Sequence, residues 1–253
     1  MSIEAVYIDH MGSDLTVVDS ARVSFNKESD WEVVDGEKVL SKQDESLIYY
    51  LARGLSSKDF DALAVAISHM QPEDIKKELI RFKRTATHFA PFTHCIVTMK
   101  EKVPIFVARQ RFKHTVGFTY SEVSRRYVKD DPEFYSPMRW RRQADNIKQG
   151  SGEEITGLVS YSLEEEYNSL LKNSGEYYRE LVNIRGVSAE QARAILPQAT
   201  MTEYRVTGSL YAWANAFNQR SDPHAQKEIQ ELARQWGETM KELFPVSWKA
   251  LTE

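Results

Sequence analysis

The 253-residue chain contains a single cysteine, Cys95. That excludes an internal disulfide and fits a reducing cytoplasm. It also excludes a zinc site built on cysteine pairs. No stretch approaches the roughly 20 apolar residues that a membrane-spanning helix needs. The opening MSIEAVYIDH has neither the basic region nor the apolar run of a secretory leader. The expectation is a cytoplasmic protein with no membrane partner. The sequence also lacks a Walker loop, a Rossmann glycine fingerprint, zinc-ligand spacing and any internal repeat. Nor is the chain basic. A net charge of -4 and a pI of about 5.9 weigh against nucleic acid as the main partner.

Positive charge is nevertheless concentrated in one place. Arg109 to Tyr127 reads RQRFKHTVGFTYSEVSRRY, with Arg109, Arg111, Lys113, Arg125 and Arg126 against one acid, Glu122. Such a cluster in an acidic chain calls for an anionic partner. Pro104 opens a predicted helix whose first half, Ile105 to Ala108, is apolar. A helix running to His114 puts Gln110, Lys113 and His114 on one face. Gly117 is its stop, and Thr119 to Val128 reads as a strand. In that strand Glu122, Ser124 and Arg126 alternate onto one face. Arginine and serine suit a phosphate, and glutamate accepts from a sugar hydroxyl or amide. The plainer alternative is a solvated basic helix followed by an edge strand.

Along the rest of the chain, AVYID (Ala5–Asp9) and LTVV (Leu15–Val18) read as short strands around an MGSD turn. Asp19 or Ser20 would cap a short helix in DSARVSF. Asn26 to Val39 is polar and expected to be a loop. Three apolar stripes then predict core-facing helices: Leu47, Ile48 and Leu51; Phe60, Leu63, Ala64 and Ile67; Ile75, Leu79 and Phe82, the last begun near Pro72. A turn around Pro91 leads into a strand, His94 to Val103, in which Cys95 is a small buried hydrophobe rather than a nucleophile. His88 and His94 have no third ligand for a metal, so no metal site is expected. Asp130 to Gly150, with the basic run Arg139 to Arg142, reads as a surface loop. Ser160 to Asn183 is helical, with Asn173-Ser174-Gly175 as a point of interruption. Ser188, with Gln191, caps a short helix that Pro197 ends. Ala199 to Val206 is a strand and Gly208 to Gln219 a helix. Asp222-Pro223 opens a final helix with the stripe Ile229, Leu232, Ala233, Trp236, Met240 and Leu243.

Several of these segments, in order, resemble flavin-dependent thymidylate synthases. The family signature is Arg-His-Arg, seven residues, Ser, then Arg-Tyr. Here the matching residues are Lys113-His114-Thr115, eight residues, Ser124, then Arg126-Tyr127. With ARVSF around Ser24, the segment from His88 to His94, GVSAEQARAILP and RSDPHAQ, the match covers the beginning near Ser24 and most of Leu79 to Glu253. The added helical segment at about 41–71 falls outside it.

The resemblance implies a single α/β domain of the α+β type, with an antiparallel or mixed sheet and packed helices, assembled as a homotetramer. It implies reductive methylation of dUMP to dTMP. Methylenetetrahydrofolate would be the one-carbon donor, FAD the cofactor and NADPH the reductant. By the same resemblance Gln110, Lys113, Glu122, Ser124, Arg126 and Arg193 hold the nucleotide. Arg220 contacts the pyrimidine ring and stabilises negative charge developing there. Ser24, His88, His114, Thr115 and Asn215 contact FAD.

The chain departs from the family at Thr93, where a glutamate is usual, at Ala90, and at Ser209 and Tyr211. Lys113 keeps a charge without the planar fork of arginine, and Thr115 drops a charge. Weaker flavin or phosphate holding follows unless Arg111 compensates. Two other functions fit parts of the sequence. A nucleic-acid binder would use Arg109 to Arg142 and weaken steeply with salt. A relic would bind flavin and nucleotide without turnover.

Overall fold

In chain order the elements are strand β1 (Glu4–Met11), helix α1 (Asp14–Arg22), strands β2 (Glu32–Val34) and β3 (Glu37–Val39), and helices α2 (Lys42–Arg53), α3 (Ser57–Ile67) and α4 (Pro72–Arg84). Strand β4 (Ile96–Pro104), helix α5 (Ile105–Arg111), strand β5 (Phe118–Glu122) and short strands β6 (Trp140–Arg141) and β7 (Glu154–Ile155) follow. Then come helices α6 (Leu158–Arg179) and α7 (Ala189–Ala192), strand β8 (Met201–Ser209), and helices α8 (Leu210–Arg220), α9 (Lys227–Leu243) and α10 (Pro245–Thr252). The structure is a computed structural model that describes residues 2–55, 57–84, 88–144 and 150–253, and for 57, 60 and 79–84 the backbone alone.

The main sheet has the strand order β1-β4-β8-β5. The β2–β3 and β6–β7 pairs are antiparallel. This is the mixed α/β class expected. Strand β4 shows why it pairs where it does: Val97, Met99, Glu101 and Val103 are buried in strict alternation.

The residues group into two compact units, and β1, β4, β8, α8 and α9 contribute residues to both. One comprises Met1–Ile8, Met99–Thr207 and Gln219–Gln235. Its interior holds Val103, Val107, Tyr178 and Tyr204, together with a buried acid and a buried base, Glu101 and Arg111. The other comprises Asp9–Thr98, Gly208–Asn218 and Trp236–Glu253. There α1, α2 and α10 pack on one another around Val17, Val18, Ile48, Leu51 and Phe244. Trp213 and Trp236 meet edge-on at 5.5 Å. Arg22 holds the buried Asp44, which also accepts from Ser29 and Ser41, so α1 is tied to the first turn of α2.

Several local expectations are corrected. LTVV is helical: Ser13 caps α1 in a capping box with Thr16. The buried Asp14 carboxylate accepts the Val246 and Ser247 backbone N–H groups at 2.9 Å each, at the start of α10. That long-range bond outweighs the β-preference of the valines. Asn26 to Val39 is no loop throughout, because Asp35 and Gly36, both at positive φ, close the β2–β3 hairpin. On α3, Ala64 is exposed and Leu63 and Ile67 are only half-buried, so that stripe does not face a core. The side chains of Phe60, Leu79 and Phe82 lie outside the described residues. α6 runs through Asn173-Ser174-Gly175, since a Cβ at Gly175 would stand 3.1 Å from the Phe134 ring; the glycine serves close packing. The last stripe begins at Lys227 rather than at Asp222-Pro223, where the Asp222 carboxylate instead accepts the His224 N–H.

Gly12, between β1 and α1, has φ +92, and a Cβ there would come 2.8 Å from Cys95 Sγ. Gly12→Ala combines backbone strain with a clash, and a loss of about 2–4 kcal/mol is expected. Urea unfolding of the variant measures it; an unchanged midpoint would contradict the packing described.

Candidate active site

The site grows from the end of α5. Pro104 occupies the N-cap position, one residue earlier than expected, and the helix stops at Arg111. Tight turns continue it, with the Lys113 N–H on Gln110 O and the His114 N–H on Arg111 O. Gly117, at φ +76, then reverses the chain. Gln110, Lys113 and His114 therefore do not share a regular helix face. Gln110 and His114 still converge on one residue. Arg220 donates its Nε–H to His114 Nε2 at 2.8 Å and an Nη2–H to the Gln110 carbonyl at 3.2 Å. The Gln110 side chain donates to Gln226 Oε1 at 2.6 Å. Lys113 and Thr115 are exposed.

Beneath this group lies a buried ion pair. The Glu101 and Arg111 side chains are both fully buried, with Arg111 Nε 3.3 Å from each carboxylate oxygen. Glu101 also accepts the Tyr204 hydroxyl at 2.6 Å. Arg111 Nη1 donates to the Tyr120 hydroxyl at 2.6 Å, and its guanidinium lies 4.3 Å over the Phe118 ring. The Tyr120 hydroxyl in turn donates to the His114 carbonyl at 2.6 Å. Burial pushes the Tyr120 phenol up to about 12, so it remains a donor. Burial, with Arg220 and Arg111 close by, pulls the His114 imidazole down to about 4. His114 is thus neutral, and because Nε2 accepts from Arg220 its proton resides on Nδ1. Burial and the nearby Arg111 lower Arg220 as well, although a guanidinium stays charged at neutral pH.

In the same unit a cleft of about 580 Å³ is lined by Glu122, Ser124, Arg125, Arg193, Lys102 and Thr202 among others. Strand β5 ends at Glu122, and Ser124 to Tyr127 form a turn. The predicted alternation of Glu122, Ser124 and Arg126 along one strand is therefore corrected. The turn keeps Glu122 and Ser124 on the cleft, while Arg126 pairs with Glu190 at 2.9 Å. Three cations line the cleft. Lys102 is held by Glu133, and Arg125 donates to the Asp130 carbonyl. Arg193 has no side-chain partner among the described residues. Glu122 accepts the Thr202 hydroxyl at 2.6 Å.

The remaining expected residues, Ser24, His88 and Asn215, are in the second unit, and all three are exposed. Ser24 stands between Val23 and Phe25, themselves 70% and 77% exposed. His88 stacks on Tyr50 at 5.8 Å, and Phe89 stacks on Tyr211 at 5.3 Å. A cavity of about 430 Å³ is lined by Arg22, Phe25, Lys27, Gln43 and Tyr50. The lining joins the aromatic surface of Phe25 and Tyr50 to the Lys27 ammonium, the Gln43 amide and the Ser46 hydroxyl; His88 adjoins it through Tyr50, whereas neither Ser24 nor Asn215 is among the lining residues.

The basic stretch is less available than its composition suggests. Arg111 is buried against Glu101, so it cannot stand in for the charges missing at Lys113 and Thr115. Arg139 pairs with Glu154 and Arg141 with Glu228. Sequence reading missed Glu101, Tyr120, Tyr204 and Gln226. Only Glu101 carried a signal, as a charge in the alternating apolar strand Val97, Met99, Glu101, Val103. The others are brought in by tertiary packing.

The chain matches the family model described as thymidylate synthase complementing protein over residues 7–246. A flavin-dependent thymidylate synthase of Thermosipho melanesiensis is 32% identical over 244 residues, 96% of this chain and 87% of that one. One from Thermus thermophilus is 31% identical over 251 residues, covering 97% and 74%. A crystal structure of a UMP/dUMP methylase, PolB from Streptomyces cacaoi, bound with 5-Br dUMP, aligns with a TM-score of 0.71 at 22% identity, covering 98% and 94%. At that identity the structural match speaks for the fold.

The depressed His114 pKa has a consequence for stability. The unfolded chain takes up the imidazole proton near pH 6.5, but the folded chain does so only near 4. Between those values the unfolded state binds more protons, so this residue's contribution falls as pH is lowered from about 6.5 towards 4. The stability advantage of the wild type over His114→Gln is expected to shrink across that window. A pH-independent difference in urea midpoints would show that His114 titrates normally.

Proposed function

The chain belongs to the family of flavin-dependent thymidylate synthases, and we propose that it methylates dUMP reductively to dTMP. The observation that carries this reading is the cleft shared by Glu122, Ser124 and Arg193, in the same unit as Arg220. An uncommitted guanidinium and a hydroxyl suit a phosphate. Glu122, one oxygen of which already accepts from Thr202, suits a sugar hydroxyl. Gln110, Lys113 and Arg126 complete the nucleotide set, with Arg126 sharing its guanidinium between Glu190 and the ligand.

Arg220 supplies the charge that the reaction needs. As the pyrimidine becomes electron-rich, its carbonyl oxygen takes on enolate character, and a pre-aimed guanidinium stabilises it without reorganisation. Arg220 is not the base, since it stays protonated. By the family resemblance, FAD contacts are assigned to Ser24, His88 and Asn215 in one unit and to His114 and Thr115 in the other. When bound, the flavin supplies the redox chemistry. In this proposal methylenetetrahydrofolate gives the one-carbon unit, NADPH is the reductant, and the working form is a cytoplasmic homotetramer.

The first test is the visible spectrum of the protein with added FAD, before and after dUMP, followed by assay of dTMP. A dUMP-dependent shift of the flavin bands with dTMP formation is the expected result. A shift without dTMP would indicate a binding relic, and no flavin binding would end the synthase reading. Removing the uncommitted guanidinium tests the phosphate assignment separately. Arg193→Ala is expected to weaken dUMP binding roughly 10- to 100-fold, the worth of charged hydrogen bonds. Unchanged affinity would move the phosphate elsewhere.

A further inference from the structure

We propose that Tyr120 is a positioning residue for the reaction: its hydroxyl bridges buried Arg111 to the backbone of His114, and so fixes the imidazole that aims the Arg220 guanidinium. The inference rests on the synthase reading for its catalytic consequence, though not for its geometry.

The bonds form one continuous series. Tyr204 donates to Glu101 at 2.6 Å, Glu101 faces Arg111 Nε at 3.3 Å, and Arg111 donates to Tyr120 at 2.6 Å. Tyr120 donates to His114 O at 2.6 Å, and Arg220 donates to His114 Nε2 at 2.8 Å. Three of these groups, Glu101, Arg111 and Tyr204, are buried in the core and cannot drift. The segment from Phe112 to Gly117 lies nearer the surface, with Lys113, Thr115, Val116 and Gly117 exposed. Left alone, such a turn is mobile. Tyr120 ties it to the core by its backbone at the residue whose side chain meets Arg220.

The tie sets direction as well as place. His114 Nε2 takes the Arg220 Nε–H, and the Gln110 carbonyl takes one Nη2–H. The Nη1 hydrogens and the other Nη2 hydrogen remain for a ligand. Rotating the imidazole would rotate that free edge. Among the described residues, the charged groups that bear on the imidazole are the Arg220 and Arg111 guanidiniums. Neither is an acid that would draw a second proton onto the ring, so it stays an acceptor. Displacing a positioned group by about 1 Å can cost 100-fold in rate.

Tyr120→Phe removes only the hydroxyl. Turnover is expected to fall roughly 10- to 100-fold with KM for dUMP little changed, because Arg220 acts on charge that develops after binding. In an Arg220→Lys background the same substitution should cost little more. If the two losses multiply, Tyr120 does not act through Arg220 and the proposal is overturned. A second readout needs no turnover. With 15N-labelled histidine, wild-type His114 should show a neutral ring protonated at Nδ1, and Tyr120→Phe should move its titration towards 6.5. An imidazole that exchanges tautomers in the wild type, or one unmoved in the variant, also overturns the proposal. If wild type makes no dTMP, the synthase reading fails while the NMR still decides the positioning role.

Discussion

Glu101 and Arg111 form an ion pair with no exposed side-chain surface on either partner. Taking both charges out of water costs several kcal/mol per ion before any attraction is counted. Such a pair persists when further hydrogen bonds reinforce it. Here Tyr204 serves the carboxylate, and Tyr120 and the Phe118 ring serve the guanidinium. A buried pair of this kind is weak evidence for stability, since an apolar substitute often does as well. What it can supply is register. Glu101 is on β4 and Arg111 ends α5, so the pair fixes where the helix stops and where the turn carrying His114 begins.

That constraint divides the positive charge of the central stretch into two populations. Arg111 is committed to the core, and Arg126 pairs with an exposed acid, as do Arg139 and, with a buried one, Arg141 beyond the stretch. Arg193, from a different part of the chain, keeps its guanidinium for the cleft. Counting arginines along Arg109 to Tyr127 suggests a broad polyanion surface; following their partners leaves a small number of donors placed for a small anion. Surface pairs between exposed side chains contribute only about 0–1 kcal/mol each. A phosphate could therefore draw Arg126 away from Glu190, whereas Arg111 is not available to it.

The fold was legible where one period dominated. The helices from α2 to α4, the alternation in β4 and the stripe of α9 follow from apolar spacing alone. It was illegible where a distant partner decided. LTVV is rich in strand formers, yet Asp14 bonds to Val246 and Ser247 at the far end of the sequence, and α1 forms instead. Gly175 looked like an interruption until Phe134 explained it as contact. In the site, Glu122 and Ser124 could be singled out because a carboxylate and a hydroxyl in a basic stretch suit a nucleotide and because their order resembles a known signature, but the arginine of that stretch on the cleft is Arg125 rather than the expected Arg126. The groups that aim them were not readable. In sequence Tyr120 is one more aromatic in a run of strand formers; it acquires its role only when Arg111 turns inward.

The choice of histidine as Arg220's partner follows from the same geometry. A carboxylate beside Arg220 would hold it more strongly, but it would neutralise the charge that the proposed reaction would use. A neutral imidazole accepts a hydrogen bond and leaves the net charge intact. It can do so only while it resists protonation, and partial burial next to two guanidiniums supplies that resistance. A lysine or arginine at position 114 could not accept at all. The buried pair thus acts twice: it anchors the turn, and Arg111's charge helps keep His114 neutral, so that in the proposed reaction Arg220 would keep its charge for the pyrimidine.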